Sequence, residues 1–253
     1  MVATVDLRVC PSPAEALLIA EAVFRANYAD AAFAYVAGSI MRGQGTFGSD
    51  IDLVVTFDSL EAARRESFVF DSVPVEAFVH DPGTLAWFID DDVSRGRPSI
   101  LNMIAEGRAI GRALDRAEIL RKAVSTRLSL GPPALTRSAL DTLRYEITDM
   151  IDDLRGDRTM FEMLAVGATL YPKLAELALR GRNRWNGSGK WTPRLLAGVD
   201  EALNDRFDAA FRALFATGTV DPVIALGEAE LAHHGGPLFG GDCRTAAASW
   251  RKA

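Results

Sequence analysis

The sequence is poor in the residues that staple or anchor a chain. Only two of its 253 residues are cysteine, Cys10 and Cys243. They are too few and too far apart in sequence for a disulfide framework or a cysteine-built zinc site. Two unpaired thiols suit a reducing compartment, so a cytoplasmic location is the expectation. The three histidines, His80, His233 and His234, lack the spacing of a metal-ligand set. His233-His234 reads as exposed beside a glycine-rich tail, and no motif joins Ser39 to a histidine and a carboxylate as nucleophilic catalysis requires. No run approaches the roughly 18 uninterrupted apolar residues of a membrane span, so no membrane partner is expected. Met1 to Val9, which carries Asp6 and Arg8, lacks a signal peptide's basic-then-apolar layout. Internal repeats and low-complexity tracts are missing too. Lysine is scarce: Lys122, Lys173, Lys190 and Lys252 are the four among 28 basic residues. The net charge of −6 argues against general nucleic-acid binding, which needs a basic surface. It leaves room for a small basic patch, and it suits a cationic ligand or plain solubility.

What is present is ordinary globular material, 49% hydrophobic and 25% charged, long enough for one large domain or two modest ones. The first hundred residues alternate helix and strand patterns. Ser12-Pro13-Ala14-Glu15 opens a helix within Pro11 to Asp30. Phe33 to Ala37, Asp50 to Phe57, Phe68 to Phe70 and Val73 to Val79 read as strands, with Asp71-Ser72 as a turn between the last two. From Asp81 onward the pattern is almost entirely helical: Gly83 to Arg95, Ser99 to Glu106, Asp115 to Ser125, Ala134 to Leu154, Phe161 to Leu179, Pro193 to Ala216, and Asp221 to Ala232. Asp90-Asp91-Asp92 reads as a solvated helix surface. The expected class is α+β: a small mixed sheet with helical cover, followed by an all-α bundle. Gly131-Pro132-Pro133 is the clearest breaker, which divides the chain into domains at 1–130 and 131–253.

The chemistry concentrates between Val36 and Val55, VAGSIMRGQGTFGSDIDLVV. Side chains alternate across a strand, so Asp50 and Asp52 project from one face, while Ile51, Leu53 and Val55 project from the other, where a core can bury them. Aspartate is disfavoured in strands, and two carboxylates one step apart repel unless a cation lies between them. A divalent ion with a preference for oxygen, magnesium above all, satisfies both. Gly38-Ser39 follows the preceding strand. A glycine there lets the backbone approach a phosphate closely, and the next amide and hydroxyl can donate to its oxygens. Arg42 and Ser49, on the same connection, can add to this grip. Glu76 shares a strand face with Pro74 and Phe78, opposite Val73, Val75, Ala77 and Val79, and an acid among such neighbours is costly unless paired or metal-bound. It is the candidate third carboxylate and a candidate acceptor of the attacking hydroxyl's proton; Asp71 is the fallback, at an expected turn.

Gly38-Ser39, ten intervening residues, Asp50-Ile51-Asp52 and then Glu76 on a later strand resemble the signature of the polymerase-beta-like nucleotidyltransferases. The helical second half looks most like the small bacterial members, including the aminoglycoside nucleotidyltransferases. The match covers about residues 31 to 80. The resemblance implies that Asp50, Asp52 and Glu76 hold two magnesium ions and that Gly38-Ser39 binds a triphosphate. It further implies transfer of a nucleoside monophosphate, AMP from ATP in the first instance, to a hydroxyl with release of pyrophosphate. The sizeable helical half favours a small hydroxylated acceptor over a protein one, as in toxin-neutralising relatives. A non-catalytic nucleotide-binding module is a further alternative, and a monomer and a homodimer are both compatible with the sequence.

In the helical half, Leu140, Leu143, Ile147, Met150, Ile151 and Leu154 form an apolar stripe, and Glu146, Asp149 and Asp153 share another face. That face could bind a cationic acceptor, and by resemblance to the aminoglycoside enzymes Glu146 is the first candidate for a general base. It also reads as an ordinary solvated surface. The resemblance places a second-domain lysine against the triphosphate. Lys173, following Tyr171-Pro172 at an expected helix break, and Lys190, in the loop Trp185-Asn186-Gly187-Ser188-Gly189-Lys190-Trp191, are the candidates.

Overall fold

A computed structural model describes residues 10–240, 243 and 245–251. Met1 to Val9 and Lys252 lie outside the described residues. The chain divides into two compact units, Met1–Gly131 and Pro132–Ala253. The fold is α+β: a five-stranded mixed sheet with helical cover, then an all-helical unit.

The first unit opens with helix α1 (Pro13–Asn27), started by a capping box in which Ser12 and Glu15 satisfy each other's backbone amides. Strands β1 (Phe33–Ala37), β2 (Ile51–Thr56), β3 (Arg64–Phe70), β4 (Val73–His80) and β5 (Arg108–Gly111) form one sheet in the order β3-β4-β2-β1-β5. β2 and β4 run parallel; the other three pairings are antiparallel. Asp71 and Ser72 have φ of 48° and 64°, so the β3–β4 hairpin closes through two consecutive left-handed residues. Such a turn matches the twist of its strands and sets their register. Alternation divides the sheet into two faces. Ala34, Val36, Leu53, Val55, Val75, Ala77 and Val79 pack with Ala16, Ala20 and Val23 of α1 into one core. The opposite face carries, row by row, Asp52 beside Glu76, Val54 beside Phe78, and Thr56 beside His80. Helices α2 (Pro82–Arg95), α3 (Ser99–Glu106) and α4 (Leu114–Ser129) complete the unit.

Two details differ from expectation. The mainly helical chain after Asp81 is not without a strand, because β5 pairs with β1. Its four residues offer one buried side chain, Ile110, and so no alternation to read. Nor is the Asp90-Asp91-Asp92 run wholly solvated. Asp92 is buried, and its Oδ2 accepts the Ile100 amide at 2.7 Å near the start of α3, which has no side-chain cap of its own. Burial raises its pKa even though the bond to Ile100 opposes this.

The second unit packs α5 (Arg137–Arg155), α6 (Met160–Arg180), α7 (Trp191–Val199), α8 (Glu201–Thr217) and α9 (Asp221–Ala232). Its core joins Leu143, Ile147 and Ile151 to Leu170, Leu174, Phe207 and Leu214. The expected helix Pro193 to Ala216 is two helices. Asp200 adopts an extended backbone and its Oδ1 caps α8 through the Ala202 amide at 3.1 Å. Conversely, the break expected at Tyr171-Pro172 does not occur, and α6 runs through Pro172. An interior proline costs about 3 kcal/mol, but Leu170, Leu174 and Leu177 are fully buried on either side, and that packing outweighs it. His234 is half-buried rather than exposed, its Nε2 turned inward beside Gly181. Among the described residues no helix is long and apolar enough to cross a membrane.

Candidate metal centre

The parallel pairing of β2 with β4 is what assembles the site. Asp52 and Glu76 are register partners, so their side chains leave the sheet on the same face and in the same row. Asp50 lies just before β2, which starts at Ile51 rather than at the expected Asp50. One ligand oxygen from each of Asp50, Asp52 and Glu76 lies within 4.8 Å of the others, and all three residues are half-buried. Three carboxylates held so close repel one another strongly when ionised, and an oxygen-only donor set of this kind fits a hard divalent cation.

Gly38 is required at this point for two separate reasons. Its φ of +95° belongs to the left-handed side of conformational space, and a Cβ built there would lie 2.3 Å from Asp52 Oδ2. The missing side chain is the space in which the Asp52 carboxylate stands. After Gly38 the chain turns tightly, with Gly43 N donating to Ile40 O at 2.8 Å and Gln44 N to Ser39 O at 2.9 Å. Ser39 is buried, its Oγ 3.4 Å from Ser49 Oγ, and Ser49 Oγ accepts the Thr46 amide at 2.9 Å. Both serines that flank the loop therefore meet at its base, next to Asp50. Arg42 donates from Nη1 to Glu106 Oε2 at 3.0 Å.

Glu76 has a cationic neighbour that the sequence reading passed over. Arg65 on β3 donates to Glu76 Oε1 from Nε at 2.9 Å and from Nη2 as well, and Ser67 Oγ lies 3.4 Å from the same oxygen. The guanidinium carbon stands 5.6 Å from the centre of the Phe78 ring. The bond and the charge of Glu76, with smaller contributions from Asp50 and Asp52, hold Arg65 protonated even more firmly than a free arginine. The clue was available. Counting outward from an Asp71-Ser72 turn sets Ser67 opposite Glu76 and Arg65 on the same face. It was missed because Arg64-Arg65-Glu66, charged throughout, does not look like strand and the expected strand began only at Phe68.

The remaining candidates lie in the helical unit. Lys173 Nζ and Glu146 Oε2 bond to each other at 2.8 Å, so residues expected in two different roles form one partly exposed ion pair. Asp149 is exposed, and Asp153 pairs with Arg158. Lys190 is exposed at the start of α7, after Gly189 with φ +53°.

No family model and no curated protein matches this sequence. Among solved structures, the crystal structure of a nucleotidyltransferase-like protein from Exiguobacterium sibiricum 255-15 aligns over 85% of this chain and 73% of that one, at 12% identity and a TM-score of 0.44.

Proposed function

We propose that this chain is a nucleotidyltransferase that moves a nucleoside monophosphate, AMP in the first instance, from a nucleoside triphosphate to a hydroxyl of a small acceptor. The observation that carries the reading is the gathering of Asp50, Asp52 and Glu76 within 4.8 Å beside a glycine whose missing Cβ makes room for one of them. Surface acids scattered for solubility do not need such an arrangement.

Asp50, Asp52 and Glu76 would hold magnesium, which when bound supplies charge neutralisation at the phosphates and a more acidic acceptor hydroxyl. The turn from Gly38 brings backbone close to the site, and Ser39 and Ser49 offer hydroxyls where a phosphate oxygen can be held. These groups keep the triphosphate in line with the acceptor, and positioning of this kind is most of what phosphoryl transfer asks of a protein. The acceptor oxygen forms a bond to the α-phosphorus as the bond to the bridging oxygen breaks and pyrophosphate leaves. The hydroxyl proton passes to a carboxylate of the group, Glu76 in this reading. In the helical unit, Glu146, Lys173 and Lys190 are the residues to test for acceptor and phosphate contacts.

The test is release of pyrophosphate from labelled nucleoside triphosphates with magnesium and a panel of hydroxylated, partly cationic acceptors. Asp52→Asn should reduce turnover on the order of 10³-fold or more, since it removes a charge used in the transition state. Nucleotide binding without pyrophosphate release for any acceptor, unaltered in Asp52→Asn, would reject catalysis and leave a binding module. A labelled protein band in place of a modified small molecule would move the acceptor to the protein class.

A further inference from the structure

Arg65 occupies an unusual position for a surface arginine. It lies on β3, an edge strand, diagonally across from Glu76 on the face that bears the three acids. Its side chain is 64% exposed, whereas that of Glu76 is 17% exposed. The guanidinium is therefore held by the carboxylate near the Phe78 ring, while most of the side chain meets water. Two of its N–H groups and the Ser67 hydroxyl converge on the same oxygen, Oε1. An ion held so loosely by its surroundings, yet so fully by one partner, can leave when a better acceptor arrives.

We propose that Arg65 is a resident cation that takes the place of a divalent ion on Glu76 and makes metal loading depend on the nucleoside triphosphate. This rests on the reading of the three acids as a metal and nucleotide site. Three ionised carboxylates attract any divalent ion, with or without substrate. A tethered positive charge among them weakens that attraction, and it engages Oε1, which a metal would otherwise share. A triphosphate brings several negative charges and paired oxygens that suit the fork of a guanidinium better than a single carboxylate oxygen does. As Arg65 turns from Glu76 to the phosphates, Oε1 is released and the repulsion of the metal ends. Metal and nucleotide then strengthen each other's binding by the same factor, as linkage demands. The edge position of β3 leaves the side chain room to move. Lysine would keep the charge but not the fork.

The experiment titrates the full chain and Arg65→Gln with Mn²⁺, alone and with a non-hydrolysable ATP analogue, following free Mn²⁺ by electron paramagnetic resonance. Arg65→Gln should bind Mn²⁺ alone about fivefold more tightly, the upper range for one exposed charge interaction. The enhancement of Mn²⁺ binding by the analogue should shrink by a similar factor, and Arg65→Lys should fall between. Equal or weaker Mn²⁺ binding by Arg65→Gln alone, where the unaltered chain does bind the ion, overturns the role of Arg65 and leaves the metal site standing. If neither protein binds Mn²⁺, with or without the analogue, the metal reading fails and this inference with it. Equal circular dichroism and melting of the variants exclude misfolding as the source of any difference.

Discussion

Gly38→Ala perturbs the candidate site while leaving all three acids in the sequence. The substitution adds one methyl group to a residue whose φ is +95° and places it 2.3 Å from Asp52 Oδ2, 3.1 Å from Asp52 Cγ and 3.4 Å from Asp52 Cβ. Two costs follow. The backbone conformation alone is worth about 1–3 kcal/mol for a residue with a Cβ. For a chain of this length that corresponds to a fall in melting temperature of roughly 2–4 °C per kcal/mol. The second cost falls on geometry, because the carboxylate oxygen must retreat by about 0.7 Å to reach even 3.0 Å from the new atom. Displacements near 1 Å at a reacting centre cost on the order of 10²-fold in rate. Gly43→Ala separates the two effects. Gly43 lies in the same turn with φ +69°, and a Cβ there meets nothing within 4 Å. That variant should show the backbone cost and keep its affinity for metal, while Gly38→Ala should lose both stability and metal affinity. Thermal melts with Mn²⁺ titration and pyrophosphate release make the comparison. If Gly38→Ala bound metal and turned over substrate as the unaltered chain does, the idea that this glycine makes room for a working carboxylate would be wrong.

Two further outcomes concern stability. His80 is buried edge-on to Phe88, with neither ring nitrogen hydrogen-bonded, and burial holds its pKa below the usual value despite the neighbouring Asp81. The native state therefore disfavours its protonated form, so stability is fully present above about pH 6.5 and is lost as pH falls through the lower folded value. His234 in the helical unit is shifted the same way by burial. Unfolding free energies from urea denaturation should be level in this respect between about pH 6.5 and 8 and fall below about pH 6.5 by up to about 1.4 kcal/mol per pH unit per histidine. His80→Leu should flatten the part due to His80; an unchanged slope would contradict this. Glu230, with no exposed surface, pairs with Arg182 at 2.6 Å, while Arg206 stands 3.9 Å away. Arg182→Ala should cost about 3 kcal/mol in urea denaturation, because it strands a buried carboxylate. Glu230→Gln should cost clearly less, and a loss under 1 kcal/mol for Arg182→Ala would refute the account.

The elements readable from sequence were those whose cause lies within a few neighbouring residues. Ser12 and Glu15 announce α1 because a capping box is a local exchange of hydrogen bonds. β1 and β4 are legible because burial alternates or persists along them. The paired acids and the glycine before Ser39 are legible for the same reason, and Glu76 stands out as an acid among the apolar neighbours of its own strand. Reading failed where distant residues decide. β5 pairs along the edge of β1, and Gly111 fits there because a Cβ on it would stand only 2.7 Å from Phe33 Cα. Pro172 stays inside α6 because of leucines that only the folded bundle buries. Asp92 looked like one of three surface acids until α3 came to rest against it.

From the sequence alone follow the periodicities, the turns and the choice of candidate oxygen donors, since these depend on side-chain chemistry and spacing within a strand or a helical turn. Only the tertiary structure decided that β2 and β4 run parallel with Asp52 level with Glu76, that Arg65 reaches across a hairpin to the third acid, and that Glu146 and Lys173 answer each other. Strand pairing and ion pairing join residues far apart along the chain, and their register comes from the packing of whole faces, which no local pattern contains.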